Sequence, residues 1–438
     1  MSQRRHITVA VAIVSAAVLG LGACSTGGSQ PTASAGPVTI TWATDGVEGG
    51  PSIVAEQKIL DAFNAANPDI HVNMELIDFA SYDTKMVTEL RGGQGADVFR
   101  VNHPNVQAWS GAGFLADLGP LTTGFDTSDF VPGLMAIGNV HGTQYTMPID
   151  TDCRAFWYNP KLLVQAGIVD ASGQAKPPST WDELVADVAK FKGTDVYGYG
   201  YLTNSDYAMA YETVGPYLKT AGGSILSSAN PPQAIASTDP NTVAAVTLLQ
   251  QIQNTGATPP GEANMSDATI YNLFANSQLA MMVAGPWARD SILGTSPNFV
   301  YGTDYSVTTI PTQQAGGTSG SASGGWQIGI NAKSAHLDAA AKFLQFFEDP
   351  ANLMTLTSNN SFPPLIDGLS KPPFSTDPFF SAFEQLLPNS GLPIPPVPQL
   401  AQVAAQFETA GIAAVVNGQD VTAALTSFDT TVNQQVLQ

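Results

Sequence analysis

The 438-residue chain carries only two cysteines, and only 16 Lys and Arg against 36 Asp and Glu. With so few thiols no disulfide framework holds the fold, and packing must supply the stability. A formal charge of −20, with no basic run to interrupt it, excludes the positive face that nucleic-acid binding needs. No Gly-x-Ser-x-Gly, His-Glu-x-x-His or paired Cys–His pattern occurs, so the usual signatures of a nucleophilic or metal hydrolase are missing. No cofactor and no metal is expected. Internal repeats are absent too. The longest apolar run, Ile7 to Gly22, falls short of the about 20 residues that span a bilayer. What remains, 44% hydrophobic residues, is ordinary for a globular protein and enough for two or three cores.

The apolar run has a context of its own. Arg4, Arg5 and His6 precede it, and Leu21-Gly22-Ala23-Cys24 closes it. This is the layout of a secretory signal: a positive start, a short apolar stretch, small residues at the cleavage site. The last four residues resemble the lipobox of bacterial lipoproteins. That resemblance implies a signal peptide over 1–23, cleavage before Cys24, and a diacylglyceryl thioether on its sulfur. An ordinary signal with an incidental cysteine is the other reading. Ser25 to Pro37 has no large side chain, so 24–37 reads as a flexible tether from a membrane anchor. Cleavage removes Arg4 and Arg5 and no acid, which takes the charge from −20 to −22, and lipidation would leave Cys153 as the one free thiol.

From Val38 the pattern changes. Val38, Ile40 and Trp42 alternate with threonines, as in a half-buried strand. Ile53, Ala55, Ile59, Leu60 and Phe63 give an amphipathic helix closed by Asn67-Pro68. Val72, Met74 and Leu76 alternate again, a helix with Met86, Val87 and Leu90 follows, and Asp97–Val101 reads as another strand. Strand–helix alternation of this kind predicts an α/β fold on a parallel sheet. Thr180-Trp-Asp-Glu183 is a capping box before a helix. Further helices are expected over 242–253, 267–276 and 338–347, and through most of 400–437. The small-residue stretch 316–325 reads as a loop, and the proline-rich 388–398 as an irregular surface crossing.

Several phrases match one family in its order: ILDAFNAANPDIHVNME, GADVFRVN, GFLADL, HGTQYTMPIDTDCRAFWYNPKLLVQAGI, PPSTWDEL, FANSQLAMMVAGPW and AAAKFLQFFEDPAN. Together they resemble the extracellular solute-binding proteins of sugar-type ABC importers, the group that includes maltose-binding proteins. The resemblance implies a two-lobe, type II periplasmic-binding-protein-like α/β fold with ligand held in a cleft between the lobes. It places chain crossings near Ile149–Cys153, Tyr301–Tyr305 and Ala332–His336. The lobes would then be 38–149 with 305–335, and 150–304 with 336–438. It also implies a carbohydrate ligand, a membrane permease with a cytoplasmic ATPase as partners, and no bond made or broken. A monomer is expected.

A sugar presents many hydroxyls, so its cleft needs carboxylates, amides and flat aromatic faces at strand ends. In Met281-Met-Val-Ala-Gly-Pro-Trp287, Gly285-Pro286 stops an apolar strand and sets Trp287 just past its end, where its face suits a sugar ring. Asp45 and Glu48 lie in the first glycine-rich turn. Tyr82 starts the second helix, with a core role equally open. Asn102 and His103 follow a strand. Asp150 and Asp152, two apart, point the same way, and Arg154 continues that face; a set of hinge ion pairs is the alternative. Tyr201 and Tyr207 are expected nearest the rim. Gly325 would let backbone approach the ligand, and Trp326 follows it. Arg289 is expected at the cleft edge, Trp109 in the core, and Tyr158 and Asn159 in the framework.

Four rivals remain at this stage. A glycosidase needs two carboxylates about 5–10 Å apart, and no spacing singles out a pair. Clustered tyrosines at 197–201 give a metal carrier little support. A glycerophosphodiester or other polyol phosphate is favoured by Arg154 and Arg289. An adhesion protein predicts no compaction with small molecules.

Overall fold

The structure is a computed structural model of the chain, described for residues 37–46, 48–204, 207–260, 265–357 and 361–438. The signal-peptide and lipidation readings at 1–23 and Cys24, and all of the tether but Pro37, lie outside the described residues.

The first sheet has five strands in the order Ile70–Ile77, Val38–Asp45, Val98–Asn102, Trp326–Ile330, Thr146–Pro148. The first three are parallel, and Trp326–Ile330 runs antiparallel to both its neighbours. Side chains alternate between the faces of a strand, so Trp42 and Ala43 enter different cores. On one face Ile40 and Trp42 meet Phe63 of helix Pro51–Ala66 and Phe343 and Phe347 of helix Leu337–Phe347. On the other, Ala43, Phe99 and Val101 meet Tyr82, Met86 and Leu90 of helix Phe79–Gly92, together with Trp109. Trp109 is thus a core residue, 5.9 Å from the Phe99 ring centre.

The second sheet has the order Ser306–Thr308, Ala155–Tyr158, Leu279–Ala284, Tyr197–Gly200. Leu279–Ala284 is buried at every position, as expected of an interior strand covered on both faces. Helices Trp181–Ala189, Pro240–Asn254, Asp267–Ala275, Leu400–Gly411 and Val421–Thr431 supply its core. The Thr180 cap forms, its Oγ1 accepting from the Glu183 N–H at 3.3 Å. Glu183 reaches back one residue further than a capping box requires, accepting from the N–H and Oγ of Ser179. Those bonds hold its carboxyl at about 2.

A third, small sheet joins the two. Ser321–Gly324 runs antiparallel to Asp152–Cys153 and parallel to Ser390–Gly391. The stretch that reads as a loop in the sequence is therefore partly a strand. Its small side chains let it lie close to the crossing chain: a Cβ on Gly324 would stand 3.1 Å from both Arg154 Nη1 and Asp152 Oδ1. Cys153 is buried here and free.

Residues 149–151 lie between strand Thr146–Pro148 of the first sheet and strand Asp152–Cys153 of the small one. Strand Ser306–Thr308 pairs with Ala155–Tyr158, and Tyr305 stacks on Trp157. Residues 305–308 therefore belong to the second sheet, and the return to the first comes at Gly324–Trp326. Helix Leu337–Phe347 buries its aromatic stripe against Trp42 and Phe63, and Leu353 and Leu356 of helix Pro350–Thr357 join the same core. Phe362 bridges Thr151 and joins the second core, whereas Leu365 bridges Phe130 and packs in the first. Among the described residues no helix is long and apolar enough to cross a membrane.

Candidate functional site

Around the crossings each lobe builds the same arrangement: one buried arginine, a ring of carboxylates and one tryptophan. In the first lobe the arginine is Arg100, set between Phe99 and Val101 on strand Val98–Asn102. Its Nη1 lies 3.1 Å from Asp45 and 3.6 Å from Glu56, and its Nη2 lies 3.4 Å from Asp150. The guanidinium stands over the Trp326 ring, Cζ 4.4 Å from the ring centre, a favourable cation–π geometry. Glu56 is fixed further by Trp42 Nε1 at 2.8 Å and Thr44 Oγ1 at 3.0 Å. Asp150 accepts from the Trp326 N–H at 2.6 Å.

Burial disfavours the ionised carboxylate, and three around one cation cannot all be fully compensated. Burial raises the Asp45 and Glu56 carboxyls, with Arg100 opposing it. Asp150 is pushed up to about 7, by burial first, against the pull of Arg100 and with the charge of Asp152 adding to the rise.

In the second lobe the arginine is Arg154. Its Nη1 bonds Asp152 Oδ1 at 2.5 Å, its Nε bonds Glu212 Oε2 at 3.0 Å, and its Nη2 bonds the other Glu212 oxygen. Its Cζ stands 4.9 Å from the centre of the Trp287 ring. Trp287 follows Leu279–Ala284 directly because Gly285-Pro286 ends the strand. The indole folds back over Gly285, where a Cβ would be 1.9 Å from the ring. Its Nε1 donates to the Tyr271 hydroxyl at 3.0 Å. Trp287 and Trp326 are both half-buried.

The lobes touch beside these groups. The Tyr207 hydroxyl donates to Asn105 Oδ1 at 3.3 Å, Asn105 donates to Asp83 at 2.7 Å, and helix Leu400–Gly411 packs on His103–Asn105. Asp45 Oδ1 and Arg100 Nε make no hydrogen bond although buried, and the same holds for His103 Nε2 from the first lobe and the Tyr211 hydroxyl from the second. Burial lowers His103 to about 3, and a backbone hydrogen bond to Trp326 offsets this only in part, so the imidazole is neutral at ordinary pH.

Asp45, His103, Asp150, Asp152, Arg154, Tyr207, Trp287 and Trp326 are thus brought together. Asn102, half-buried at its strand end, pairs with Trp326. Three expected positions take other roles. Tyr82 is fully buried, its hydroxyl shared between the carbonyls of Ala43 and Arg100, so it braces the strand ends from within the core. Tyr201 is buried with its hydroxyl 2.5 Å from Gln253, against a helix of the second lobe. Gly325 has φ +131°, and a Cβ there would meet His103 at 2.7 Å and the Asp150 carbonyl at 2.8 Å. Its room is taken by the protein itself, not left for a ligand. Glu48 is exposed on its turn. Arg289 bonds Asp377 at 2.6 Å and lies over Phe379.

Arg100, Glu56, Glu212, Tyr211 and Asn105 escape the sequence reading. Two carry a signal. Arg100 interrupts the apolar Val98-Phe99-Arg100-Val101. Glu56 falls on the helix stripe of Ile53, Ile59 and Phe63, where an acid is out of place. Beside the first-lobe group Phe79 is 55% exposed, its ring edge-on to Trp326 at 6.5 Å. Among the described residues no group of three or more ligating side chains is arranged to hold a metal ion.

Comparison with known proteins agrees with this architecture. The chain is similar to an ABC transporter solute-binding protein of Thermotoga lettingae solved with alpha-D-tagatose: TM-score 0.79, 23% identity, 92% of this chain and 100% of that one. It is similar also to the GacH receptor of Streptomyces glaucescens, solved unliganded and with acarbose: TM-score 0.78, 20% identity, 91% and 98%. The multiple sugar-binding protein of Streptococcus mutans is 26% identical over 305 residues, 66% of this chain and 67% of that one. Residues 50–354 match the family model described as bacterial extracellular solute-binding protein. The chain belongs to that family, whose members bind solutes and are not enzymes.

Proposed function

We propose that this protein is a lipid-anchored extracytoplasmic receptor that closes its lobes on a carbohydrate and hands it to the membrane permease of an ABC importer, driven by a cytoplasmic ATPase. The lobes we assign are residues 37–149 with 325–357 and 363–366, and 150–324 with 367–438. One observation carries the reading. Each lobe presents a tryptophan braced by an arginine that carboxylates surround, and both sets meet at the same crossing beside the unpaired His103 Nε2 and Tyr211 hydroxyl. Aromatic faces suit the apolar C–H faces of sugar rings, and the carboxylates accept from hydroxyls. A buried acceptor left unmet costs about 1–3 kcal/mol, so such a site favours a ligand rich in donors. The relatives, a multiple sugar-binding protein and receptors solved with tagatose and acarbose, support the same class.

The phosphodiester alternative loses its basis in the same geometry. Arg154 is already paired with two carboxylates, and Arg289 with Asp377, so neither is free to neutralise a phosphate. A thermal-shift screen over mono-, di- and oligosaccharides and glycerophosphodiesters tests the reading. A ligand at 100 times its Kd stabilises the native state by about 2.7 kcal/mol. A saccharide should raise the melting temperature and a glycerophosphodiester should not; the reverse pattern overturns the proposal.

A further inference from the structure

The charges at the crossing do not balance. Asp45, Glu56, Asp150, Asp152 and Glu212 surround two guanidiniums, those of Arg100 and Arg154. Every one of these groups except Glu212 is at most 9% exposed. His103, the remaining basic side chain at the site, is neutral at ordinary pH. Besides Asp150, four carboxyl groups face two guanidiniums, and burial raises Asp45, Glu56 and Asp152 as well, so a further cation is what would favour their ionised forms. Excess charge of one sign in a water-poor site is costly unless an opposite charge joins it.

The unpaired atoms add a second, independent observation. His103 is 2% exposed and Tyr211 3% exposed, yet His103 Nε2 and the Tyr211 hydroxyl have no partner. They approach the Asp150–Asp152 segment from opposite lobes. The His103 ring and the Asp150 carbonyl crowd the same point beside Gly325, and the Tyr211 ring stands 5.8 Å from that of Tyr207, which reaches Asn105 across the boundary. A neutral imidazole with its N–H turned to the Trp326 backbone leaves Nε2 as an acceptor. The carboxylates are acceptors too. An alkyl ammonium is the complementary group: three donors, no acceptor, one positive charge.

We propose that the solute carries a protonated amine, as in an amino sugar, seated at the Asp150–Asp152 crossing between His103 and Tyr211. This rests on the carbohydrate reading and narrows it. Acidic sugars and sugar phosphates are excluded by the same charge. The N-acetylated form, which has lost the cation and gained an acceptor carbonyl, binds no better than the neutral sugar.

The test is a matched panel on the mature chain, followed by calorimetry and thermal shift: glucose, glucosamine, N-acetylglucosamine and glucuronate, and the α- and β-1,4 disaccharides of the first three. Within a matched set the amine should bind about tenfold tighter than the hydroxyl form, the usual advantage of a charged over a neutral hydrogen bond, and glucuronate should not bind. Asp150→Asn and, as an independent variant, Tyr211→Phe should shrink the ratio of amine to hydroxyl affinity toward unity, whatever each does to sugar affinity itself. Equal binding of amine and hydroxyl forms, or binding of glucuronate, overturns the amine proposal and leaves the carbohydrate reading standing. A panel in which no member binds counts against both.

Discussion

Trp287 is the side chain on which the binding account leans most. It is half-buried, held on one side by Arg154 and at its nitrogen by Tyr271. Trp287→Ala should weaken saccharide binding by about 1–3 kcal/mol, the scale of a buried aromatic contact. Calorimetry reads this directly, and unchanged affinity would remove Trp287 from the site. Glu348 poses a different question. It is fully buried after helix Leu337–Phe347, neither oxygen has a hydrogen-bond partner, and burial alone raises its carboxyl well above the usual range. A folded-state pKa above the unfolded one gives stability that is fully present below the unfolded value and is lost as pH rises through the folded one. Asp150, raised to about 7, acts in the same sense. The protein should therefore melt at lower temperature as pH rises from about 4, the unfolded carboxyl value, to about 7. Glu348→Gln, which cannot ionise, should flatten that slope; an unchanged slope would show that the carboxyl has an ionised partner.

Among the elements, the crossing segments govern the site. Gly325 sits where any Cβ would strike His103 and the Asp150 carbonyl, at a φ that side-chain-bearing residues avoid. Gly325→Ala should cost about 1–3 kcal/mol of stability and loosen Trp326 and His103 together, visible as a lower melting temperature and weaker binding. Phe79, the first residue of helix Phe79–Gly92 and edge-on to Trp326, extends the aromatic surface outward. Phe79→Ala should lower affinity for disaccharides more than for monosaccharides, and equal losses would place it outside the site. Periodicity was a good guide to such elements. The alternation of Val38, Ile40 and Trp42, the stripe of helix Pro51–Ala66 and the Thr180 cap were all readable, because each depends on residues near in sequence. Partnership was not. Nothing in Ser306–Thr308 says which sheet it joins, and Ser321–Gly324 has loop composition because its neighbours leave no room for side chains. The candidate site was legible at strand ends and at Trp287, but the charges that organise it, Arg100, Glu56 and Glu212, come from three separate elements and meet only in the fold.

For the whole molecule the two sheets have separate cores and a shared boundary of polar contacts. Tyr207 on Asn105 is one such contact, and a hydrogen bond of this kind contributes about 0.5–1.5 kcal/mol. A hinge equilibrium of a few kcal/mol is set by such terms and shifted by a ligand that touches both sides. Tyr207→Phe should therefore favour the open form and weaken binding severalfold. The central claim is that ligand holds the two lobes together at the crossing. Small-angle scattering of the mature protein, with and without a saccharide that raises its melting temperature, tests it most directly. The account predicts a smaller radius of gyration when the sugar is bound, with Trp287→Ala needing more sugar to reach it; an unchanged radius at saturation would contradict it.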